Sequence, residues 1–219
     1  MGSRHLRSDV DRHQYYPIFL DITGKDCLIV GGGLVAERKA VMLLKFDASV
    51  RVISPKVTKR LARLAETGRI SVVLREYTSG DHTGTAVVFA CTDDRETNRM
   101  VREDAARERI PVNVVDKPEE CDFIVPSIIR KGDVTIAIST SGRAPMASKR
   151  IRQAIEEKII DDHAAYTRII AAVRQYILTR VPDKNVRRRL MDMIGSMDTG
   201  EIIAQGITGM KRILKNRMP

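Results

Sequence analysis

The segment Asp26-Cys27-Leu28-Ile29-Val30-Gly31-Gly32-Gly33 limits the possible folds of this chain more than any other. A short apolar run that enters a glycine cluster reads as a buried strand ending in a tight turn. Val35, Ala36, Ala40, Leu43 and Leu44 then recur at helical spacing to about Lys45. Within this strand–turn–helix frame stands Gly31-x-Gly33-x-x-Ala36. The first glycine permits the turn, the second lets a pyrophosphate approach the backbone, and the small alanine lets helix and strand pack closely. Free amides and the positive dipole end at the helix start attract phosphates, so the segment points to dinucleotide binding.

The same alternation continues. Val50-Arg51-Val52-Ile53 is a second strand stopped by Ser54-Pro55, and a helix follows near 57–66 with Val57, Leu61 and Leu64 on one face. Strands at Ile70–Leu74 and Ala86–Ala90 precede a helix to about Glu108, where Asp93 and Glu96 have capping-box spacing. Pro111–Val115 is the fifth strand. Strands and helices joined this briefly imply a parallel sheet covered on both faces, an α/β class. The character then changes. Phe123–Ile129 and Val134–Ile138 flank Arg130-Lys131-Gly132-Asp133 as two strands about a tight turn, and from Pro145 the sequence is helical with breaks at Pro182 and Gly195. Residues 1–14 are polar and patternless and read as a flexible arm.

Composition narrows the function classes. Hydrophobic residues make up 43% of the 219, enough for a sizeable core. Aromatic residues stand at 4% with no Trp, which argues against stacking platforms for nucleic acid. No run approaches the about 18 apolar residues that a membrane span needs, and no export signal is legible. Three scattered cysteines without a C-x-x-C fit reduced thiols in a cytoplasmic protein. The net charge of +10 suits anionic ligands without choosing among them.

The usual acidic residue at the end of strand two, which would hold the ribose hydroxyls, is missing. That place reads Ile53-Ser54-Pro55-Lys56. Ser54 and backbone groups remain for the ribose, and Lys56 leaves a 2′-phosphate electrostatically possible. Asp116 follows Asn113-Val114-Val115 at the end of strand five, where ligands of such sheets bind. A carboxylate there suits a proton acceptor, and a solvated turn residue is the competing reading. Ser139-Thr140-Ser141-Gly142-Arg143-Ala144-Pro145 opens a helix. It reads first as a set of caps and second as a carboxylate site built from hydroxyls, Arg143 and the helix start. His5, His13, His82 and His163 have no metal-ligand spacing and read as surface residues, so no metal site is expected.

Taken in order, Tyr16-Pro17-Ile18-Phe19-Leu20, Cys27–Gly33, Val35-Ala36-Glu37-Arg38-Lys39, Ala90-Cys91-Thr92-Asp93-Asp94, Asn113–Asp116, Phe123–Ile129 and Ser139–Pro145 strongly resemble the precorrin-2 dehydrogenase family. That family includes bifunctional dehydrogenase–ferrochelatases and the N-terminal part of siroheme synthases. The resemblance covers residues 15 to about 158 and implies a Rossmann domain over 15–116, a β-rich dimerisation section over 117–145 and a helical domain over 146–219. It implies a homodimer that oxidises precorrin-2 to sirohydrochlorin with NAD as acceptor, and in some members inserts ferrous ion into the product. By the same resemblance the cofactor is held by Gly31, Gly33, Leu34, Val35, Pro55 and Lys56, and the expected set is completed by Ser54, Thr92, Asp93 and Asn113 at the strand ends. Asp116 is the catalytic candidate, and Ser139, Thr140, Ser141 and Arg143 are the substrate candidates. Leu34 departs from relatives, which are often polar there. The rival reading is a non-catalytic NAD-sensing module, against which no helix-turn-helix pattern flanks the α/β part.

Overall fold

Leu28, Ile29 and Val30 are enclosed on both sides, as a continuous apolar strand must be when helices cover both sheet faces. The computed structural model describes residues 15–218, and the side chains of all of these except 158–162. The expected arm of residues 1–14 lies outside the described residues. The chain divides between Val125 and Pro126 into two compact units.

In the first unit, β1 (Asp26–Val30), β2 (Ser49–Ile53), β3 (Ser71–Val73), β4 (Val87–Ala90) and β5 (Val112–Val114) form one parallel sheet in the order β3-β2-β1-β4-β5. Register pairs Ile29 with Val52 on one side and with Phe89 on the other, and Phe89 with Asn113. Helix α1 (Leu34–Leu44) and α2 (Lys59–Glu66) bring Ala36, Ala40, Leu43 and Leu61 onto the face that carries Cys27, Ile29, Val52 and Phe89. Helix α3 (Arg95–Arg107) brings Val101 and Ala105 onto the face of Leu28, Val30, Val88 and Val112. Each fully buried Leu or Ile contributes about 1.5–3 kcal/mol. The strand order reverses beside β1, between β2 and β4, so the turns leaving β1 and β4 open at a topological switch point. The expected α/β class and its parallel sheet are borne out.

Two boundaries differ from expectation. Helix α2 begins at Lys59 because Thr58 takes the cap, its hydroxyl accepting from Leu61 N at 3.2 Å. Residues 123–126 are not strand. Asp122 N donates to Val112 O at 2.9 Å and Asn113 Nδ2 to Phe123 O at 2.9 Å, which ties this stretch to β5. Pro126 then offers no N–H to a ladder.

The second unit opens with an antiparallel hairpin of β6 (Ser127–Lys131) and β7 (Val134–Ile138), in which Lys131 pairs with Val134 around Gly132 and Asp133. Gly132 has φ 56 at the first turn position, which a side chain would strain. Helices α4 (Pro145–Arg180), α5 (Lys184–Gly195) and α6 (Thr199–Lys215) follow. Ile169, Val173 and Ile177 recur every four residues on α4 and pack with Leu190, Ile194, Ile202, Met210 and Leu214. The breaks expected at Pro182 and Gly195 are present. A further break at Gly206 (φ 59, ψ −175) interrupts α6. It was hidden because the apolar spacing continues through it.

His82, expected at the surface, is instead 4% exposed. It lies in the long β3–β4 connection, where a polar cluster replaces an element of secondary structure. The Tyr77 hydroxyl donates to Asp104 Oδ2 at 2.9 Å and lies 2.9 Å from His82 Nδ1, while Arg107 pairs with Asp104 Oδ1 at 2.9 Å. Burial first and the Asp104 carboxylate second push the Tyr77 phenol far above its ordinary range. Asp104 is 1% exposed, and its Oδ1 has the Arg107 ion pair but no hydrogen bond among the described residues. The carboxylate thus relies on the Tyr77 hydroxyl as hydrogen-bond donor. Tyr77→Phe is therefore expected to lower unfolding free energy by about 1–3 kcal/mol, read as a lower urea midpoint. An unchanged midpoint would show that Arg107 alone satisfies the buried carboxylate.

Candidate functional site

Three adjacent glycines leave β1, and their surroundings differ. Gly31 has φ 118, and its amide donates to Ile53 O at 2.9 Å. A Cβ there would stand 2.4 Å from Cys91 O, a backbone atom that cannot give way. Gly32 is tighter still. Its Cβ would fall 1.9 Å from Lys56 O, and its own carbonyl accepts from Thr58 N at 3.0 Å. Gly33 is the N-cap of α1, with extended backbone, no side-chain cap and nothing within 4 Å of a built Cβ. The turn is thus closed by protein behind Gly31 and Gly32 and open in front of Gly33. Past Gly33 stand Leu34 and Val35, 65% and 37% exposed, whose amides belong to the unpaired first turn of a helix. Ala36 is fully buried, as the close-packing role demands.

Behind the turn, the β2–α2 loop is held by its own side chains. Ser54 is 8% exposed and its hydroxyl donates to Lys56 O at 2.8 Å, so it shapes the loop. Pro55 and Lys56 are exposed. Thr58 also donates to Glu37 Oε2 at 2.7 Å, and Arg60 stands 3.6 Å from Glu37 Oε1.

At the end of β4 the loop is latched by Asn98, a residue the motif reading did not single out. Its Oδ1 accepts from Thr92 N at 3.2 Å and from Thr92 Oγ1 at 2.9 Å, and its Nδ2 donates to Thr92 O at 2.9 Å. Asp94, rather than Asp93, caps α3, accepting from Glu96 N at 3.3 Å and Thr97 N at 3.0 Å. The Thr97 hydroxyl, which donates to Asp94 Oδ2 at 2.5 Å, and after it these two amides hold the Asp94 carboxyl below its ordinary range. Asp93 is left exposed at the sheet edge.

At β5, Asn113 faces inward. It is 8% exposed, with Nδ2 on Phe123 O and Oδ1 accepting from Lys39 Nζ at 3.3 Å. Lys39 also lies 5.1 Å from the Phe89 ring centroid, and burial lowers its pKa. Cys121 Sγ accepts from Val114 N at 3.2 Å. Burial raises all three thiols, Cys27 and Cys91 to about 11, which keeps them protonated at neutral pH. Asp116, two residues beyond β5, is exposed and has φ 57. A non-glycine residue there is uncommon and is held at a cost. No hydrogen bond engages its carboxylate among the described residues.

The expected substrate residues lie in the second unit. Ser139 Oγ accepts from Ser141 N at 2.9 Å and Thr140 Oγ1 from Ala144 N at 3.2 Å. Ser141 has φ 53, and Ser139, Ser141 and Arg143 are exposed. No hydroxyl caps α4, whose N-cap is Ala144 with Pro145 following. The hydroxyls fold the turn on itself, contrary to the cap reading.

A strand, a glycine turn open at a helix start and a parallel sheet with its switch point beside them define a dinucleotide-binding protein. Residues 18–127 match a family described as putative NAD(P)-binding, and the chain belongs to that family. Residues 131–158 match a family described as sirohaem biosynthesis protein central. The chain is 38% identical over 195 residues to a siroheme synthase of Thioalkalivibrio sulfidiphilus, covering 88% of this chain and 39% of that protein. It is 37% identical over 192 residues to a siroheme synthase of Methylococcus capsulatus, covering 88% and 40%. The chain thus spans about two fifths of the length of the curated relatives it matches. A solved structure described as SirC, precorrin-2 dehydrogenase, shares the fold with a TM-score of 0.75 at 22% identity, over 92% of this chain and 98% of that one. The resemblance seen in residues 15–158 is borne out by these matches. Among the described residues, no helix is long and apolar enough to cross a membrane.

The differing roles of the glycines can be separated. Gly32→Ala is expected to cost about 1–3 kcal/mol of stability, since Lys56 O must move. Gly33→Ala is expected to leave the thermal midpoint within 2 °C or so, because space is open there. Equal midpoints for the two variants would contradict this division.

Proposed function

We propose that this chain oxidises precorrin-2 to sirohydrochlorin with NAD as the acceptor. The observation that carries this reading is Asp116. Its free carboxylate stands at the carboxyl edge of the sheet, the same edge at which the glycine turn opens, on a backbone held at φ 57.

The residues present fit a dinucleotide, because the protein backbone fills the space behind Gly31 and Gly32 and leaves the space before Gly33 open. Gly33, Leu34 and Val35 would present amides to the pyrophosphate, and Pro55 and Lys56 would flank the ribose end. Ser54, Thr92 and Asn113 hold the surrounding loops in place, leaving Asp93 at the edge. When bound, NAD supplies a hydride acceptor. Oxidation of the reduced macrocycle removes one hydride and one proton, and Asp116 takes the proton on a carboxylate oxygen. In the second unit, Arg143 with Ser139, Thr140 and Ser141 would engage substrate carboxylates, and the net charge of +10 favours a polyanion. Ferrous ion is the further substrate this reading allows, since its insertion releases two pyrrole protons that Asp116 could accept.

Self-association as a homodimer is part of the same proposal. It is supported by exposed Tyr16, Ile18, Phe19 and Leu20 in the first unit, and by half-exposed Val134, Ile136 and Ile138, which share one face of the hairpin of the second. Apolar side chains grouped in this way mark contact surfaces.

Gly33→Asp is expected to abolish NAD binding in a calorimetric titration while the protein stays folded, because a carboxylate would repel the pyrophosphate at close range. Unaltered affinity would remove the glycine turn from the cofactor site. Under anaerobic conditions with saturating NAD and precorrin-2, Asp116→Ala and Asp116→Asn are each expected to slow the appearance of sirohydrochlorin roughly 10²–10⁴-fold, with NAD affinity retained. Near-normal turnover in both variants would make Asp116 a turn residue, and no product from the unaltered protein would refute the reaction itself.

A further inference from the structure

We propose that the groove between α1 and α2 is a docking site for an acidic segment of a partner protein, one in which an aliphatic side chain is flanked by carboxylates. The proposal stands apart from the cofactor reading.

The groove follows from the sequences of two helices. In α2 and the turn after it, Leu61 enters the core while Lys59, Arg60, Arg63 and Arg69 stay exposed. These four cations, with Leu64 and Thr67, line a cavity of about 590 Å³. Arg60, Leu64 and Arg69 also line an adjoining cavity of about 250 Å³, which α1 closes with Val41, Leu44 and Lys45. The two form one open groove with an aliphatic floor and a cationic rim. It leads away from the dinucleotide edge. Helix α1 starts at the open turn and reaches Val41 to Lys45 only at its far end, and Arg69 stands just before β3 begins.

Structural duties do not account for these charges. Lys59, Arg63 and Arg69 have no ion-pair partner among the described residues, and Arg60 faces Glu37 at 3.6 Å. Glu66 is the one acidic residue between Lys59 and Arg69, and it lines neither cavity. Nor are the cations needed to close α2. Arg63 O and Leu64 O accept from the Thr67 hydroxyl at 3.0 and 3.1 Å, and Ala65 O accepts from Gly68 N at 2.9 Å. Cations gathered on one groove without counterions favour an anionic occupant.

The floor selects among anions. Val41, Leu44 and Leu64 are aliphatic and half-buried, and no aromatic ring lines the groove, so nucleic acid would find no stacking platform. A membrane surface takes up apolar groups that project, whereas these are recessed. A protein segment with carboxylates around a leucine or isoleucine matches both rim and floor.

The test is fluorescence anisotropy of the full chain with a labelled peptide of leucines flanked by glutamates, beside a second peptide in which glutamine replaces every glutamate. The acidic peptide is expected to bind in the micromolar range at low salt, less tightly as salt rises, and at least about tenfold more tightly than the glutamine peptide. Arg63→Glu combined with Arg69→Glu is expected to weaken it about tenfold or more and to leave NAD binding unchanged. The milder pair Arg63→Gln and Arg69→Gln is expected to weaken it about threefold, which keeps the test readable should charge reversal unfold the helix. Arg188→Glu combined with Lys215→Glu makes the same change in net charge on the second unit and is expected to have no effect. Absence of binding, equal binding of the two peptides, or affinity that the groove variants leave unmoved would overturn the proposal. So would an equal loss in the second-unit variant, which would reduce the effect to overall charge.

Discussion

The contact on which the site depends is between two stretches of backbone, the glycine turn after β1 and the loop that leaves β2. Lys56 O occupies the space a Cβ of Gly32 would need, and Thr58 N closes the contact by donating to Gly32 O. Neither group can be moved by rotating a side chain. The approach fixes the direction in which Gly33 and the start of α1 face, and with it the direction of the unpaired amides. Ser54 and Thr58 reinforce the loop from within, which is why two hydroxyls that look free in the sequence serve structure first.

Similar commitments hold the other two strand ends. Asn98 latches Thr92 with three hydrogen bonds, and Asn113 is divided between Lys39 and the carbonyl of Phe123. Satisfying buried amides this fully rigidifies the loops that carry Asp93 and Asp116. The two aspartates are left with exposed carboxylates at a firm edge, a suitable arrangement for groups meant to meet a ligand. The strained backbone of Asp116 is held by this surrounding structure, since its own side chain contributes no bond among the described residues.

Much of the first unit was legible because apolar runs, glycine turns and helical spacing all agreed on one parallel sheet. Gly31, Gly33 and Ala36 were readable from spacing alone. Gly32 was not, because its reason lies twenty-odd residues away, in a carbonyl that no local pattern reveals. Lys39 and the inward turn of Asn113 were missed because polar residues buried by hydrogen bonds to other elements look like ordinary surface residues in sequence. Asn98 was missed because its bonds to Thr92, six residues back, leave no periodic signal. His82 was misplaced because Tyr77 and Asp104 give it polar company in the interior. In the second unit the helix ends marked by Pro182 and Gly195 were plain, whereas Gly206 broke a helix whose apolar spacing ran on without interruption.

The most direct test of a cofactor site centred on the open start of α1 is amide hydrogen exchange with and without NAD. Protection on binding is expected at Gly33, Leu34 and Val35 and in the 55–58 and 92–93 loops, with the β3–β4 connection around Tyr77 and His82 unchanged. Binding of NAD that protects other segments and leaves Gly33 to Val35 exchanging at their free rate would contradict it.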